Sequence, residues 1–293
     1  MKQGFNTALY MGIDGGGTSC RVRLADATGK PLAEARTGSA NVYQDANQAW
    51  RSVDEATNLV LQKAGLEAAD RARLHVVAGL AGSEISRAAD AFLSQVSGFA
   101  QFELLNDGQI ACVGAHAGQP GVLLVVGTGV IGFRWTSAGW HQVSGWGFPL
   151  DDIGSGAWLG QQAVRAALWQ RDGLLAASGL TEAVWQYFNQ ELDGLIGWAQ
   201  SALSVDYGKL APLVVDWYEQ ADPNAQQIVE QQRQRLGQLL DALHQPGLPI
   251  VISGGLSDFV VQGLAAHHRQ WLRPAQGDAL DGALRLAQHK GAH

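Results

Sequence analysis

The chain has 293 residues, is 46% hydrophobic and carries a formal net charge of -7, so it is long enough for two domains with cores of their own. The acidic balance, with an isoelectric point near 5.6, excludes the basic surface typical of proteins that bind nucleic acid or anionic membranes. We therefore expect a small-molecule partner, with no nucleic acid and no membrane.

The cysteines, the histidines and the hydropathy of the chain indicate its cellular compartment and whether it carries a metal-ligand motif. The two cysteines, Cys20 and Cys112, belong to no CxxC or Cys/His metal-ligand spacing, and no histidine lies in an HExxH or similar spacing. The longest apolar stretch, residues 121–133, is too short to cross a bilayer, and the N-terminus lacks the pattern of a secretory signal. We therefore expect a cytoplasmic protein and assign no histidine to a metal.

Hydrophobic periodicity predicts a mixed α/β first half, with three meandering strands followed by helical crossovers. The expected elements are strands at 8–13, 20–25 and 31–37, a helix at 45–64 ended by Gly65, a strand at 74–80, a helix at 82–96, a strand at 101–105 and a helix ending at 115. A linker at 116–120 follows. We place the domain boundary near residue 118, which gives domains at 1–118 and 119–277.

The second half opens like the first, with a strand, a glycine turn and a second strand, which indicates a duplicated unit. The expected elements are strands at 122–126, 131–136 and 140–143, helices at 155–171, 181–188, 192–202, 210–220 and 224–244, a strand at 249–253, and helices at 257–266 and 278–288. The second half is therefore predicted to be mainly helical.

The turn between the first two strands is the strongest signal for chemistry. Asp14 precedes Gly15, Gly16 and Gly17, and Thr18 follows them. Glycines lack a Cβ, so successive backbone N–H groups can converge on an anion, and we interpret the turn as a phosphate-binding loop. The alternative is a plain turn, which needs fewer glycines. A Walker A loop is excluded, since no Gly-Lys-Ser/Thr ends the turn and a strand follows.

Two more glycine turns follow apolar strands, Gly127-Thr128-Gly129 and Gly254-Gly255. Three such turns can surround one nucleotide. Residues 127–132 also match the dinucleotide pattern GxGxxG, but the following residues indicate a strand where a Rossmann site needs a helix. A plain hairpin turn stays open as the alternative for the second turn.

Asp107 ends a buried strand, as Asp14 does, and strand ends line the ligand crevice in α/β sheets. Phosphoryl transfer to an alcohol needs a metal ion to neutralise phosphate charge and a carboxylate to accept the hydroxyl proton. We assign Asp14 to the metal and Asp107 to the base. The alternative for Asp107 is a helix N-cap.

The segment 144–158 is denser in glycine, tryptophan and acid than a connector needs. Aromatic faces and carboxylates suit a polyhydroxylated ligand, which makes Trp146 a candidate substrate contact. The alternative is that Trp146 and Trp158 are core residues. No serine lies in a GxSxG elbow, so a hydrolase of that kind has no support.

In their order along the chain, these motifs resemble those of the N-acetylglucosamine and glucosamine kinases. That family is related to the 2-hydroxyacyl-CoA dehydratase activators within the sugar-kinase, actin and heat-shock-chaperone superfamily. The motifs that carry the resemblance are Gly12-Ile13-Asp14-Gly15-Gly16-Gly17-Thr18, Ser39-Ala40-Asn41, Asn106-Asp107-Gly108, Gly127-Thr128-Gly129, Gly145-Trp146-Gly147 with Asp152, Gly154-Ser155-Gly156, and Gly254-Gly255.

The resemblance implies two ribonuclease-H-like (actin-like ATPase) domains around a central nucleotide cleft, with ATP and Mg²⁺ bound and the 6-hydroxyl of an amino sugar phosphorylated. It implies that a C-terminal helix at 278–293 packs back on the first domain. The residue roles it implies are Asp107 as catalytic base, Asn41 and Asp152 as sugar contacts, Gly15 to Thr18 as the first phosphate loop, Thr128 and Gly129 as the second, and Gly254 and Gly255 as the adenosine-side turn.

Two positions depart from the family pattern. Val130 stands where the family usually has serine, and Ile153 where it usually has glutamate. Both lie near the expected sugar and phosphate positions, so the choice between glucosamine and N-acetylglucosamine stays open.

Two other functions also stay open. One is an ATPase activator of a 2-hydroxyacyl-CoA dehydratase-type partner, which needs cysteines at a dimer interface to hold an iron–sulfur cluster. The other is a sugar-responsive regulator that does not catalyse transfer. The expected partner is a small-molecule amino sugar, and a homodimer is one assembly that stays open.

Overall fold

A computed structural model of the chain describes residues 8–291, with side chains as far as residue 289. It divides into two compact units, whose described parts are residues 8–121, 135–139 and 274–291 for the first unit and 122–134 and 140–273 for the second. Each unit is built on a sheet of its own. The fold is therefore mixed α/β with two sheets, as the sequence predicted.

The first unit begins with three strands and then alternates helices with strands. Its elements are β1 Leu9–Gly15, β2 Cys20–Ala25, β3 Pro31–Thr37, α1 Ala46–Lys63, a 3-10 helix Ala68–Arg73, β4 Leu74–Leu80, α2 Ser86–Leu93, β5 Gln101–Leu105, α3 Asp107–Ala115 and, from the end of the chain, a helix Ala279–Gly291, labelled α12 below after the helices of the second unit. Four of the five strands match the predicted bounds within one residue, and β1 extends two residues further, to Gly15.

The first sheet has the strand order β3-β2-β1-β4-β5. Strand β1 is antiparallel to β2 and parallel to β4, and β4 is parallel to β5. Parallel strands point the same way, so β1, β4 and β5 all end at one edge of the sheet. The residues that follow these three strands are therefore neighbours although they are far apart in sequence.

The two faces of the first sheet are covered by different helices, which is why β1 is apolar from Leu9 to Ile13. Met11 and Ile13 face a core that contains the apolar side of α1. Tyr10 faces the opposite core, which Ile110 from α3 and Leu284 from α12 complete. Alternate side chains of β1 thus pack against α1 on one face of the sheet and against α3 and α12 on the other.

The C-terminal helix lies on the first unit through very close backbone contacts. A Cβ on Gly282 would lie well under 3.0 Å from the backbone of Ile110, and a Cβ on Gly114 would lie as close to the backbone of Asp278. Glycine at these positions therefore lets α3 and α12 approach each other almost backbone to backbone. Arg23 of β2 adds an ion pair to Asp281.

The second unit opens with a meander and continues mainly with helices. Its elements are β6 Gly121–Val126, β7 Val130–Thr136, β8 Gly139–Ser144, α4 Gly156–Arg171, α5 Gly179–Tyr187, α6 Leu192–Ser201, α7 Ser204–Gly208, α8 Ala211–Glu219, α9 Pro223–Leu243, β9 Ile250–Ser253, α10 Ser257–Gly263 and α11 Ala266–Arg269. The strand order is β8-β7-β6-β9, with β6 parallel to β9. This order repeats β3-β2-β1-β4 of the first sheet.

Two cores stabilise the second unit. One lies between the sheet and α9, where Leu124 and Val126 pack with Leu240. The other joins α4 to the neighbouring helices and includes Leu159 and Val184. Over residues 8–291, no helix is both long enough and apolar enough to cross a membrane.

The largest local difference from the predicted elements lies after β4. The sequence predicted a helix from residue 82, but α2 begins at Ser86. Gly82 has a φ of +80°, Ser83 donates its hydroxyl to the carbonyl of Leu105, and Glu84 accepts from Asn106. These contacts with the end of β5 hold residues 82–84 in a turn that joins the candidate site.

Candidate active site

Three carboxylates lie close together where the parallel strands of the first unit end. Asp14 lies in β1, Glu84 follows β4, and Asp107 follows β5. The pKa of Asp107 is raised to about 6, mainly by burial and also by the charges of Glu84 and Asp14, while a hydrogen bond from the Gly108 backbone lowers it. We call this group the acidic edge of the first unit.

The N-terminus of α3 explains how Asp107 is held. Asn106 is the N-cap, since its side-chain oxygen accepts from the backbone of Gly108 at 2.8 Å and Gln109 accepts from the backbone of Asn106 at 2.9 Å. Asp107 is the first helical residue, so its interpretation as the cap is wrong. A helix N-terminus favours the ionised carboxylate, and burial outweighs that effect here.

Asp14 is held by an arginine that the sequence did not single out. Arg21 of β2 donates from Nε at 3.1 Å and from Nη2 at 2.5 Å to Oδ2 of Asp14, and from Nη1 at 3.0 Å to Asp278. The other oxygen, Oδ1 of Asp14, accepts no hydrogen bond from another residue in the described part of the chain. A single free carboxylate oxygen fits the way Mg²⁺ is usually held, by one or two carboxylates together with substrate phosphates.

Asn41 lies beside the turn that carries Glu84. Val42 donates its backbone N–H to the carbonyl of Ala81, and a Cβ on Gly82 would lie about 3.0 Å from Oδ1 of Asn41. That oxygen accepts from the backbone of Gln44 at 3.0 Å, which fixes the amide plane. Asn41 therefore presents its amide near the acidic edge.

Packing explains why glycine is needed at only one of the three glycine positions of the first loop. A Cβ on Gly15 would lie 2.5 Å from Leu80 and 2.8 Å from Ala40, so the fold itself requires glycine there. A Cβ on Gly16 or Gly17 would meet nothing within 4 Å. Thr18 is exposed at the same turn. Packing leaves Gly16 and Gly17 unexplained, whereas the close approach of a ligand to their backbone would explain them.

The second glycine turn in the chain borders a cavity of about 580 Å³ in the second unit. The N-terminus of α4 holds this turn, because Gly156 donates to the carbonyl of Gly127 at 2.7 Å and Ala157 donates to that of Thr128 at 3.1 Å. The cavity is lined by Gly127, Thr128, Gly156, Gly208, Ala211, Pro212, Val215, Asp216, Gly255, Leu256, Asp258 and Phe259. Its volume lies in the range of small-molecule sites.

In the third turn, as in the first, packing requires one glycine, whereas the other has free space around it. Gly254 has a φ of +98°, and a Cβ there would lie well under 3.0 Å from the carbonyl oxygen of Val126. Gly255 has no neighbour within 4 Å of a hypothetical Cβ, and it lines the cavity. Strand β7 begins at Val130, so residues 127–132 belong to a hairpin and not to a Rossmann turn.

Asp152 contacts the same hairpin. Its φ is +63°, its side chain is buried, and its Oδ1 accepts from the backbone of Val130 at 2.9 Å. A Cβ on Gly129 would lie 3.1 to 3.3 Å from this carboxylate, so glycine at 129 makes room for it. Burial raises the pKa of Asp152, while the hydrogen bond from Val130 lowers it.

The two tryptophans of segment 144–158 differ in exposure. Trp146 is 69% exposed, whereas Trp158 is 9% exposed and packs in the helical core. Asp151 accepts from the hydroxyl of Ser144 at 2.8 Å and from the backbone of Trp146 at 3.2 Å, which fixes the loop that carries the exposed indole. The core interpretation therefore holds for Trp158 and is wrong for Trp146.

The sequence-predicted site residues are divided between the two units. Those of the first unit are Asp14, Gly15, Gly16, Gly17, Thr18, Asn41 and Asp107. The predicted residues of the second unit are Thr128, Gly129, Trp146, Asp152, Gly254 and Gly255. Sequence reasoning missed Arg21, Glu84 and the acidic residues Asp216 and Asp258 of the cavity, since ordinary charged residues outside a motif give no signal.

Comparison with known proteins gives consistent matches over nearly the whole chain. The profile of the BadF/BadG/BcrA/BcrD ATPase family matches residues 11–292. The chain is 35% identical over 279 residues to glucosamine kinase GspK of Vibrio cholerae, with 95% of each chain covered. A solved structure of a candidate N-acetylglucosamine kinase from Chromobacterium violaceum superposes with a TM-score of 0.84 at 35% identity, covering 96% of this chain and 99% of that one.

A more distant solved structure shares the fold. A ROK-family glucokinase from Streptomyces griseus, in complex with glucose and AMPPNP, superposes with a TM-score of 0.52 at 18% identity. The superposition covers 96% of this chain and 100% of that one. The fold class predicted from the sequence is thereby confirmed.

Proposed function

Because the chain belongs to the BadF/BadG/BcrA/BcrD ATPase family, we propose that it is an ATP-dependent kinase that phosphorylates the 6-hydroxyl of glucosamine or N-acetylglucosamine. The names of its 35% identical relatives support an amino sugar as substrate. The observation that carries the proposal is the raised pKa of Asp107, at about 6, in the acidic edge. A carboxylate with such a pKa is a suitable general base near neutral pH.

In this proposal Asp107 accepts the proton of the attacking hydroxyl. Its carboxylate is ionised at pH 7 but is a stronger base than an ordinary aspartate, since burial disfavours its charge. The oxygen that attacks the γ-phosphorus then gains negative charge as its proton moves to Asp107. Asn41 and Asp152 contact sugar hydroxyls, and the exposed indole of Trp146 covers an apolar sugar face.

The glycine turns bind ATP in this proposal. Gly16, Gly17 and Thr18 offer backbone N–H groups to phosphate, as do Thr128 and Gly129 in the second unit. The cavity beside Gly255 accepts the nucleoside, and Asp216 or Asp258 accepts hydrogen bonds from ribose hydroxyls. Gly15 and Gly254 contribute indirectly, since both allow close packing that holds their turns.

Asp14 is the residue that we assign to Mg²⁺, through the oxygen that Arg21 leaves free. When bound, the ion neutralises charge on the transferred phosphate. Arg21 keeps the carboxylate oriented by two donors to one oxygen. A carboxylate oxygen is the kind of ligand that Mg²⁺ prefers, which supports the assignment of Asp14 to the metal.

The substrate is tested by measuring ADP release with Mg-ATP and a panel of glucosamine, N-acetylglucosamine, glucose and N-acetylmannosamine. We expect the highest kcat/KM with one of the first two sugars and no turnover with its 6-deoxy analogue, which lacks the attacking oxygen. Absence of sugar-stimulated turnover with every sugar would contradict the kinase. Turnover of the 6-deoxy analogue would contradict the 6-hydroxyl as the phosphorylated group, but it would not contradict the kinase activity.

The first loop allows a matched pair of substitutions. We expect Gly16→Ala to leave the melting temperature unchanged and to lower kcat/KM for ATP roughly 10-fold or more, because a methyl group displaces the phosphate. Gly15→Ala is expected to destabilise the fold by about 1–3 kcal/mol, since its Cβ meets Leu80 and Ala40. Thermal unfolding and ATP kinetics of both variants check this. Equal effects on stability would contradict the distinction between the two glycines.

The activator alternative conflicts with the state of the cysteines. A shared iron–sulfur cluster needs accessible thiolates, but Cys20 and Cys112 are fully buried, and burial raises the pKa of Cys20 to about 12. The regulator alternative predicts sugar binding without ADP release. The panel above therefore separates it from the kinase.

A further inference from the structure

A cluster of two histidines and an aspartate lies in the second unit, at a cavity that the kinase proposal does not use. His267 and His268 belong to α11, and Asp241 belongs to α9. One ligand atom of each side chain lies within 4.8 Å of those of the other two. The cavity measures about 650 Å³ and shares no lining residue with the cavity beside Gly255.

The two histidine rings converge in an unusual way. Consecutive helical residues normally point in different directions. Here the ring centroids of His267 and His268 are only 3.9 Å apart, and Trp271 lies edge-on against both rings. Two imidazoles side by side offer two nitrogen ligands to one ion, whereas neighbouring protonated imidazoles would repel each other.

His268 is fixed by its surroundings. It is 6% exposed, and a Cβ on Gly237 of α9 would lie only 3.0 Å from its Cε1. Its Nε2 lies 2.9 Å from Oδ1 of Asp241. His267 and Asp241 are exposed, and the imidazole of His267 makes no hydrogen bond to another residue among those described. The cluster therefore has one rigid buried member and two members open to solvent.

From this arrangement we propose that Asp241, His267 and His268 form a binding site for a divalent transition-metal ion, with Zn²⁺ as the reference ion. Two ligands about 2.1 Å from a tetrahedral ion lie about 3.4 Å apart, so the side chains reach that geometry by moving roughly 1 Å or less. Imidazole suits Zn²⁺, Ni²⁺ and Cu²⁺, while Mg²⁺ prefers oxygen ligands. Solvent supplies the remaining coordination positions.

The charges around the cluster are compatible with a cation. Glu230 lines the same cavity and adds a second carboxylate. Arg233 also lines it, but its guanidinium stacks on Tyr218, with Cζ 4.9 Å from the ring centroid. Sequence spacing gave no sign of the site, since 27 residues separate Asp241 from His268. The ion would join α9 to α11.

The test uses the full chain without a histidine tag, treated with a chelator and then titrated with Zn²⁺ against a chromophoric competitor. We expect one Zn²⁺ per chain, a rise in melting temperature with Zn²⁺ concentration, and d–d absorption when Co²⁺ is added. His267→Ala and Asp241→Asn are each expected to weaken Zn²⁺ binding at least roughly 10-fold. Both residues are exposed, so these variants keep the fold.

His141→Ala is the matched control, because His141 is an exposed histidine of the same unit on β8. It should bind Zn²⁺ like the unchanged chain. Kinase turnover with Mg-ATP should be the same in His267→Ala. A stoichiometry well below one, or equal Zn²⁺ affinity in the unchanged chain and His267→Ala, would overturn the proposal and leave His268 and Asp241 as a hydrogen-bonded pair.

Discussion

Replacing Asp107 with asparagine is expected to lower kcat for sugar phosphorylation by about 10²–10⁴-fold, the range that a positioned general base contributes. Asparagine keeps the size of the side chain and an oxygen that can accept from the backbone of Gly108. It cannot accept the proton of a hydroxyl. ATP binding, which we assign to the glycine turns, should change little.

The pH profile gives a second readout of the same carboxylate. With N-acetylglucosamine, which has no titratable amine, kcat/KM of the unchanged enzyme should fall as pH drops through about 6, because Asp107 takes up a proton there. Asp107→Asn should lack this step in its residual activity. A profile that is flat down to pH 5 in the unchanged enzyme would contradict Asp107 as the base.

The substitution should also stabilise the protein at neutral pH. The pKa of Asp107 is raised from 3.8 to about 6, so between these values the folded chain holds a proton that the unfolded chain has lost, and the free energy of unfolding falls as pH rises. The cost of the ionised group above pH 6 is on the order of 1–3 kcal/mol. Asp107→Asn should therefore melt a few degrees higher at pH 8 and equally at pH 4.

Asp90→Asn is the matched control for these measurements, since Asp90 is an exposed aspartate of the same unit, within α2. It should change neither turnover nor the pH dependence of melting. A loss of activity in Asp107→Asn accompanied by a lower melting temperature at pH 8 would point to structural damage. Loss of activity with a higher melting temperature would support a catalytic carboxylate whose ionised form destabilises the folded protein.

The strands could be predicted from sequence because their signal is local. Strands β2 and β3 have the predicted bounds, and β4 and β5 do as well. Apolar runs and alternation report burial on one or both faces of a sheet, and neither needs knowledge of distant residues. The same holds for Asp45 and Gly65, which flank α1 as predicted.

The site could be predicted only where a motif carried it. Asp14 and Asp107 end apolar strands, and that position alone indicated a crevice. Glu84 and Arg21 join the site through contacts between separate strands, such as the hydrogen bond from Asn106 to Glu84. A glycine in the sequence likewise does not reveal whether packing or a ligand requires it. Gly15 and Gly16 are adjacent in sequence, yet packing requires glycine at 15 and leaves free space at 16.

Gly282→Ala is expected to destabilise the first unit by about 2–4 kcal/mol, although alanine favours helices. The added Cβ would lie well under 3.0 Å from the backbone of Ile110 and of Gly114, where no flexible side chain can yield. Helices α3 and α12 must therefore separate. Thermal or denaturant unfolding measures the change.

Gly197→Ala is the control with the opposite expected sign. Gly197 lies inside α6, and a Cβ there would meet nothing within 4 Å. Alanine should stabilise this exposed helix by about 0.5–1 kcal/mol, through its propensity and the lower entropy of the unfolded chain. If both glycine variants were stabilised, the close packing of α3 on α12 would be contradicted.

The effect of Gly282→Ala should also reach the acidic edge. Helix α3 carries Asp107 as its first residue, and Asp278, just before α12, holds the arginine that orients Asp14. A displacement of α12 by about 1 Å would move both carboxylates relative to each other, and misplacement of that size costs roughly 10²-fold in rate. We therefore expect kcat to fall even well below the melting temperature, where the variant is folded. Full activity of the folded variant would show that the two carboxylates are positioned without α12.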